Sequence, residues 1–546
     1  MPGGLIQLVN KGAQDQLVTG SPSFTHFKSM YKRHTEFAQE HFRLDFRSTN
    51  LDLGTLPRTF RAKVDRNAQL VHDMYIHVSL PDIFSPIFPI TQSNQTLAPD
   101  ATGIGYEFQW IKNIGYNMIR SVSVLLNGSA IVTHTGEWMK LYSYITHDSN
   151  RRKLIDKMVG NLPELYDPAN AFQRKNQYPH SITGVNPAEP SILGKDLVIP
   201  LHFWFCEEIG AALPLVALQY CEVEIVVEFV TIYDLFTVRD VRPNSPTFGQ
   251  RIRPDNAAPE FAMAKFLSVP DILGNPVNNT LTTWSLSPYI EANYIFLSDT
   301  ELIHLAKSDN SFKIKDIRYI SSRGLYGGGN DIELTLHNLC TRVVFVGIRS
   351  DVLAQNDYDN YTNIPQNQYS QHFSSMTPWY SSGQLVGQNQ SSSNIVIDGT
   401  IVLDGAERFN TKPTEFFELQ ENYKYHKGCP LDGIYTYSFA LEHTEQPSGH
   451  INGSMFNKTL LRLTLQLPPL TQTQNSSREC IIKSTALSNN PIQVQTTKTF
   501  APNQVLSIIN KDDLNVYQYT YTINSYVESY NFLRIYRGIG NVVFSS

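Results

Sequence analysis

The stretch IPLHFWFCEEIGAALPLVALQYCEVEIVVEF, residues 199–229, decides the fold class. Its second half alternates with a period of two, and the apolar side chains of one face are Cys221, Val223, Ile225, Val227 and Phe229. The opposite face carries Glu222, Glu224 and Glu228, and only Val226 breaks the alternation. This pattern is typical of a β-strand with one buried and one solvated face. The aromatic run at 201–206 is too short for a helix, so we predict a second strand there.

Composition extends the β prediction to the whole chain. Of 546 residues, 41% are hydrophobic and only 17% are charged, with 28 Tyr and 29 Phe. Aromatic and β-branched residues favour strands, and the 31 Gly and 30 Pro are numerous enough to separate short elements. The length exceeds what one hydrophobic core usually organises. We therefore expect an all-β protein with at least two domains.

Charge and cysteine usage exclude several classes of protein. The formal net charge is -6 and no basic tail is present, which argues against direct binding of nucleic acid. The five cysteines never form a Cys-x-x-Cys motif, so we expect neither a zinc site nor a disulfide framework, and a reducing compartment suits them. The longest apolar run, 209–218, contains a proline and is too short to span a bilayer. The N-terminus lacks the pattern of a signal peptide, so we expect a soluble product made in a cytosol-like compartment.

The chain divides into four predicted segments. Residues 1–42 form an N-terminal arm or first element, in which Ser21-Pro22 is a possible start of a short helix. This arm either packs on its own body or is exchanged between subunits. Residues 43–240 form the first β-sandwich, 241–280 a junction rich in Pro, Asn and Gly, and 281–546 the second sandwich.

A weak internal repeat relates the two halves. Asn127-Gly128 lies between two apolar runs, which is a strong hairpin signal, and Asp404-Gly405 occupies the same context 277 residues later. The features that follow each turn also agree in order, namely Glu137-Trp138 and Leu141 in the first half and Glu415-Phe416 and Leu419 in the second. We predict two copies of one β-sandwich in tandem.

Two long polar connections interrupt the strand pattern. Residues 145–195 contain prolines and read as irregular, and residues 351–394 are dominated by Asn, Gln, Ser and Tyr. Long loops inside compact domains are usually functional. We expect both to form exterior or intersubunit surfaces.

Motifs that carry chemistry are absent from the sequence. It contains no G-x-x-x-x-G-K-[ST], H-E-x-x-H or G-x-S-x-G, and Gly327-Gly328-Gly329 precedes a strand, so we interpret it as a turn. His72 and His77 lie five apart on a strand and point to opposite faces, so they cannot chelate one metal ion. We interpret the glutamates of 222–228 as a solvated strand face that faces Lys or Arg. We therefore predict no catalytic, cofactor-binding or metal-binding residues, no cofactor and no enzyme activity.

Two alternatives stay open on these residues. A carbohydrate-binding β-sandwich used for attachment needs exposed aromatic platforms, for which Trp379-Tyr380 is the candidate. A glycoside hydrolase needs paired carboxylates on converging strands, and we identify none. Asn-x-[Ser/Thr] sequons leave glycans possible, although an Asn-rich chain produces such sequons by chance.

Five ordered blocks resemble the major capsid proteins of the nucleocytoplasmic large DNA viruses. The blocks are residues 3–20 together with 24–38, then 110–138, 202–225, 445–456 and 530–546. The most recognisable is HFWFCEEIGAALPLVALQYCEVEI, and EQPSGHINGSMF resembles the Gln-Pro-Ser-Gly segment of the family. The sequence departs from the family after that segment, where His450-Ile451-Asn452 replaces the usual residues, and its long polar loops do not match.

The resemblance implies a fold and an assembly. The expected fold is two tandem eight-stranded jelly-roll β-sandwiches, a double jelly roll, with long surface loops and few short helices. Members form pseudo-hexagonal homotrimeric capsomers that tile an icosahedral shell. The implied partners are neighbouring capsomers, penton proteins and minor capsid proteins beneath the shell, with an internal virion membrane below. The resemblance further implies a virion location, with synthesis and assembly in the host cytoplasm.

Overall fold

The fold is described from a computed structural model of the full chain. Residues 3–544 are described, except 49–50, 86, 89–90, 93–94, 97–103, 175–176, 182–188, 240–250, 256, 258–260, 268–283, 308–309, 351, 353–355, 364–393, 444–445, 468–478, 484–491, 494–498, 501–504 and 511–519.

Eight principal strands build the first sandwich. They are β1 (Phe37–Asp45), β2 (Arg58–Lys63), β3 (Leu70–Leu80), β4 (Ile119–Leu126), β5 (Ser129–Thr135), β6 (Lys195–Pro200), β7 (Val223–Phe229) and β8 (Tyr289–Leu297). One sheet has the order β1-β8-β3-β6 and the other the order β5-β4-β7-β2, and every pairing is antiparallel. Strands adjacent in sequence mostly lie in different sheets, which is the jelly-roll topology.

The second sandwich repeats this topology. Its strands are β9 (Asn310–Leu325), β10 (Gly328–Glu333), β11 (Leu339–Arg349), β12 (Val396–Leu403), β13 (Ala406–Glu407), β14 (Ile434–Ser438), β15 (Thr459–Leu465) and β16 (Tyr521–Tyr536). The sheet orders are β9-β16-β11-β14 and β13-β12-β15-β10. The prediction of two tandem eight-stranded jelly rolls is confirmed.

The internal repeat corresponds to the same hairpin in both sandwiches. Asn127 and Gly128 join β4 to β5 with φ of 50° and 83°, and Asp404 and Gly405 join β12 to β13 with φ of 47° and 88°. Two consecutive positive φ values are characteristic of a type I′ turn, which Asn-Gly and Asp-Gly favour because these residues tolerate that region. The local sequence therefore determines the geometry of both turns.

Nine α-helices are described, all of them short. They are α1 (Gly3–Val9), α2 (Gln16–Thr19), α3 (Ile114–Asn117), α4 (Gly136–Thr146), α5 (Ser149–Met158), α6 (Pro163–Tyr166), α7 (Trp204–Glu207), α8 (Asp299–Lys307) and α9 (Glu421–Tyr425). A π-helical turn, Phe416–Gln420, precedes α9, and 3₁₀ turns occur at Ala171–Gln173, Ile209–Ala211, Ile232–Asp234, Met263–Lys265 and Gly453–Met455.

Short strands extend the sheets or form small hairpins. They are Asp52–Leu53, Ile87–Phe88, Thr91–Gln92, Gln95–Thr96, Ile104–Gly105, Gln109–Trp110, Leu213–Pro214, Phe236–Arg239, Arg251–Ile252, Trp284–Ser285, Lys412–Pro413, Ile451–Asn452, Glu479–Lys483, Ile492–Gln493, Thr499–Phe500, Val505–Asn510 and Ile539–Val542.

Three local predictions were wrong. The run at 201–206 is not a strand, since α7 begins at Trp204 and buries Trp204 and Phe205. No helix starts at Ser21-Pro22, and the helices of the arm are α1 and α2 instead. Residues 145–195 are not irregular throughout, because α5 and α6 lie within them.

The predicted start of the second domain at residue 281 also needs correction. It assigns β8 to the second sandwich, whereas β8 pairs with β1 and β3 of the first. The sheet of the first sandwich is therefore completed by a strand beyond residue 281. Most of the predicted junction and of the loop 351–394 lies outside the described residues, as does Trp379-Tyr380.

The two sandwiches stand side by side in the same orientation. All sheet neighbours are antiparallel, so the connections β1–β2, β3–β4, β5–β6 and β7–β8 all lie at one end of the first sandwich, which we call the long-connection end. The short turn at Asn127 lies at the opposite end, which we call the short-turn end. At the long-connection end, Glu137 contacts Tyr526 near the start of β16. At the short-turn end, the amide of Tyr220 donates to the carbonyl oxygen of Gly538, just after β16 ends. Long connections of both sandwiches therefore emerge on the same side.

Candidate functional site

The predicted glutamate row is paired with basic side chains, as expected. Glu222 lies 2.7 Å from the Lys63 ammonium, and the Glu228 carboxylate lies 3.1 Å from the Arg120 guanidinium. Arg61 is 4.0 Å from Glu224, the third glutamate. Exposed pairs of this kind add little stability. The row is a solvated strand face, and this interpretation is confirmed.

His72 and His77 are apart, as the strand periodicity predicts. The ring of His72 contacts the backbone carbonyl of Phe205, whereas His77 stacks on Tyr289 at 4.6 Å and lies 3.1 Å from the Glu291 carboxylate. Within the described residues, no cluster of three or more His, Cys, Asp or Glu is arranged to hold a metal ion.

Helix α4 makes extensive contacts between the two jelly rolls. It follows β5 directly, and its N-cap Thr135 accepts a hydrogen bond from the amide of Trp138. Gly136 permits this sharp transition, because a Cβ there would lie 2.1 Å from the carbonyl oxygens of Tyr116 and Ile119. The helix is buried from Trp138 to Ile145, although it belongs to a connection between strands.

Three donors of the second jelly roll converge on the Glu137 carboxylate. The hydroxyl of Tyr526 donates at 2.6 Å, the side-chain amide of Asn524 at 2.8 Å and the hydroxyl of Tyr361 at 3.2 Å. Burial raises the pKa of both tyrosines well above the usual value, and the Glu137 carboxylate reinforces this shift. Both hydroxyls therefore stay protonated and act as donors over the physiological pH range.

Lys140, one turn further along α4, makes a buried ion pair across the joint. Its ammonium lies 2.6 Å from the Asp359 carboxylate, and the two side chains are 1% and 4% exposed. Asn113 and Asn117 of the first jelly roll also donate to Asp359, at 2.7 Å and 3.4 Å. Burial alone would raise the pKa of Asp359, but Lys140 and the two amides outweigh it and lower that pKa. The hydrogen bonds satisfy both charges, which is the condition under which a buried pair is tolerated.

Apolar side chains fill the space around these polar contacts. One cluster combines residues of α4 with the outward face of the β11–β16 sheet, and its members include Trp138, Leu141, Ile145, Val344, Val346, Ile434 and Tyr526. Trp138 and Tyr526 are in ring contact at 5.4 Å. The joint therefore has its own hydrophobic cluster, and the core cluster of the first jelly roll also includes Ile314, Leu533 and Ile535 of the second.

A second buried ion pair lies in the sheet that α4 covers. The Arg342 guanidinium donates to the Glu528 carboxylate at 2.7 Å, and both side chains are 1% exposed. Arg342 also lies against the rings of Trp138 and Tyr142 at 5.7 Å and 5.6 Å. Burial opposes ionisation of Glu528, but Arg342 and Lys315 prevail and lower its pKa to about 2. Glu528 is therefore a charged acceptor at neutral pH.

A cleft of about 940 Å³ opens beside the joint and is lined by both jelly rolls. Four histidines lie on it, namely His147, His202, His426 and His443. Burial is the main cause that lowers the pKa of each, to about 4 for His147 and about 3 for His443, and nearby cations add to the effect. The four rings are therefore neutral at pH 7.

Sequence reasoning missed this joint almost entirely. The one available signal was the position of Glu137-Trp138 directly after the hairpin, together with the apolar and aromatic residues that continue to Ile145. A helix that is hydrophobic on most sides is normally buried. The partners Tyr361 and Tyr526 lie more than 200 residues away, so nothing local identifies them.

Family models of major capsid proteins match parts of both halves of the chain. Residues 25–268 match the family described as "Major capsid protein N-terminus", and residues 330–496 match "Large eukaryotic DNA virus major capsid protein". The first range covers seven of the eight principal strands of the first jelly roll, up to β7, and the second covers the second jelly roll from within β10 to β15.

Curated relatives match most or all of the chain. "Probable capsid protein 4" of Acanthamoeba polyphaga mimivirus is 25% identical and covers 100% of both chains. The "Major capsid protein" of Phaeocystis pouchetii virus is 25% identical over 85% of this chain and 93% of its own.

Solved structures share the fold. The "PBCV-1 virus capsid, quasi-atomic model" superposes with a TM-score of 0.60 at 18% identity and covers 96% of this chain and 100% of that chain. The "Faustovirus major capsid protein" gives a TM-score of 0.61 at 12% identity, covering 96% and 94%. Among the described helices, none is long and apolar enough to cross a membrane. The chain belongs to the major capsid proteins of large eukaryotic DNA viruses and is a component of the virion.

Proposed function

We propose that three copies of this chain form a pseudo-hexagonal capsomer that tiles an icosahedral shell, with no catalytic reaction. The observation that carries the proposal is the joint at α4, which holds two jelly rolls of the same topology side by side and in the same orientation. A subunit of this kind presents two similar units to its neighbours. Three subunits then supply six similar units to one ring.

The proposal includes further partners and surfaces. Neighbouring capsomers, penton proteins and minor capsid proteins beneath the shell are the expected partners, with an internal virion membrane below and assembly in the host cytoplasm. The N-terminal arm is a candidate for exchange between subunits, since Leu17, Val18 and Phe27 are 89%, 88% and 99% exposed. Exposed apolar side chains at this density favour burial against another protein.

The native mass of the purified protein tests the proposal. Three copies of 61.9 kDa give a particle of about 186 kDa, and negative-stain images should show hexagonal outlines. A protein that stays monomeric at micromolar concentration and binds sugar would contradict the capsomer and favour the attachment protein.

A further inference from the structure

The residues through which α4 contacts the second jelly roll have equivalents in the second jelly roll. In the first jelly roll, Glu137, Leu141 and Ile145 are spaced four apart on α4 and lie against the second jelly roll, where Leu141 and Ile145 are both 0% exposed. In the second jelly roll, Glu415, Leu419 and Tyr423 have the same spacing and lie 278 residues later.

The helical segment of the second jelly roll follows the β12–β13 hairpin, just as α4 follows the β4–β5 hairpin. The repeat therefore makes the two segments structurally equivalent.

The second set of residues faces solvent. Glu415 is exposed, Leu419 is 60% exposed and Tyr423 is 93% exposed. The rest of the segment is fixed to its own jelly roll, because the Asn422 side chain bonds to Thr436 and the Glu421 carboxylate accepts from the amide of Ser438. We call Glu415, Leu419 and Tyr423 the helix stripe.

The sheet surface of the second jelly roll that α4 covers also has an equivalent in the first jelly roll. In the second jelly roll, the outward side chains of β11 and β16 are covered by α4, so that Val344 and Tyr526, which face each other across the two strands, are 0% and 1% exposed. The corresponding strands of the first jelly roll are β3 and β8.

The outward residues of β3 and β8 are only half-buried at Tyr75, His77, Tyr289 and Glu291. Next to them on β1, the side chains of His41 and Arg43 are 55% and 62% exposed. We call these six residues the sheet face.

We propose that the helix stripe of one copy docks on the sheet face of the next copy, repeating between subunits the contact that α4 makes inside each subunit. This inference rests on the proposed trimer and names its interface. The occupant is a second copy of this chain, because the same chain already contains one example of the contact. Arg43, whose guanidinium lies 4.2 Å over the Tyr289 ring, offers a cation to the Glu415 carboxylate.

The arrangement is compatible with a closed ring. The stripe and the face are different surfaces, so the contact is head-to-tail, and such contacts form rings when the rotation closes. Contacts within a subunit and contacts between subunits then alternate around the ring, and each contact joins two neighbouring jelly rolls. Three copies give six jelly rolls and use every stripe and every face.

A charge placed in the helix stripe tests the inference. Leu419→Arg should convert the 186 kDa species, about three times 61.9 kDa, to a folded monomer in native mass spectrometry. Leu419 is exposed, so thermal unfolding of the variant should still be cooperative. The matched control is Met455→Arg, which alters a side chain that is 74% exposed and lies outside both surfaces. It should remain trimeric.

The outcomes separate the inference from the proposed function. If the unmodified protein is monomeric, the capsomer itself fails. If the unmodified protein and Leu419→Arg are both trimeric, the capsomer stands and the assigned interface is wrong.

Crosslinking gives an independent readout. Cys429→Ser removes the one exposed thiol among the cysteines whose burial is described, and Cys480→Ser removes the fifth cysteine of the chain. In this background, Leu419→Cys combined with Tyr289→Cys should yield covalent dimers and trimers with a bifunctional maleimide. Each single cysteine variant should yield none. Equal crosslinking of single and double variants would overturn the assignment.

Discussion

The ammonium of Lys140 lies 2.6 Å from the carboxylate of Asp359, and this pair connects the first jelly roll to the second from inside their shared interface. Lys140 belongs to α4, whereas Asp359 lies in the connection between β11 and β12. Both groups are nearly inaccessible to water. This buried pair therefore helps to fix the position of one jelly roll relative to the other, because separating the two charges inside the protein would cost a large free energy.

Loss of this ion pair should destabilise the protein strongly. Lys140→Met leaves the Asp359 carboxylate buried without its cation, and breaking a buried pair in this way costs about 3–5 kcal/mol. Urea unfolding monitored by tryptophan fluorescence measures the change. The control is Arg462→Met, which breaks an exposed pair with Asp331 at 2.8 Å and should cost less than about 1 kcal/mol. Equal effects of the two substitutions would contradict the role given to Lys140.

The apolar core of the joint should matter as much as the core of a single domain. Leu141→Ala creates a cavity at a fully buried position and should cost about 2–5 kcal/mol of unfolding free energy. Leu154→Ala on the neighbouring helix α5 is the control, because Leu154 is 60% exposed. Its effect should stay within about 0.5 kcal/mol. A neutral Leu141→Ala would mean that the jelly rolls are joined in another way.

Acid should weaken the protein through its buried histidines. His134 is 3% exposed, stacks on Phe203 at 5.2 Å and has no hydrogen-bond partner on either ring nitrogen. Burial lowers its pKa to about 3, so the folded state cannot take up the proton that the unfolded state binds below about pH 6.5. Its contribution to stability is therefore complete above pH 6.5 and is lost progressively as the pH falls toward 3.

His134→Leu tests this expectation. The variant should be more stable than the unmodified protein at pH 5, and the difference should shrink at pH 8, as measured by thermal unfolding at both values. An identical pH dependence for the two proteins would show that His134 does not contribute to acid sensitivity.

The glycine in the β12–β13 hairpin should contribute to stability through its positive φ and not through a lack of space for a side chain. Gly405→Ala places a Cβ at φ of 88° in open space, so the expected cost of about 1 kcal/mol is conformational and not steric. Gly329→Ala is the matched control, because its Cβ would also meet nothing within 4 Å and its φ is not positive. Thermal unfolding should show a lower Tm only for Gly405→Ala. A similar decrease for both would indicate a different cause.

Local chemistry predicted a large part of the fold. The alternation at 221–229 identified β7 and its buried face, because side chains on a strand alternate between two environments. Asn127-Gly128 and Asp404-Gly405 identified two hairpins and, through them, the tandem repeat, because few residue pairs tolerate two consecutive positive φ values. The aromatic run before α7 was misread, since periodicity alone cannot distinguish a short buried helix from a strand.

The sequence by itself identified β7 and its buried face, the positions of two turns and the tandem repeat of one sandwich. Tertiary structure alone decided that β8 completes the first sandwich and that α4 joins it to the second. The physical reason is that strand edges and buried charges are satisfied by partners far away in sequence. Asp359 becomes the partner of Lys140 only once both jelly rolls have folded and brought the two residues together.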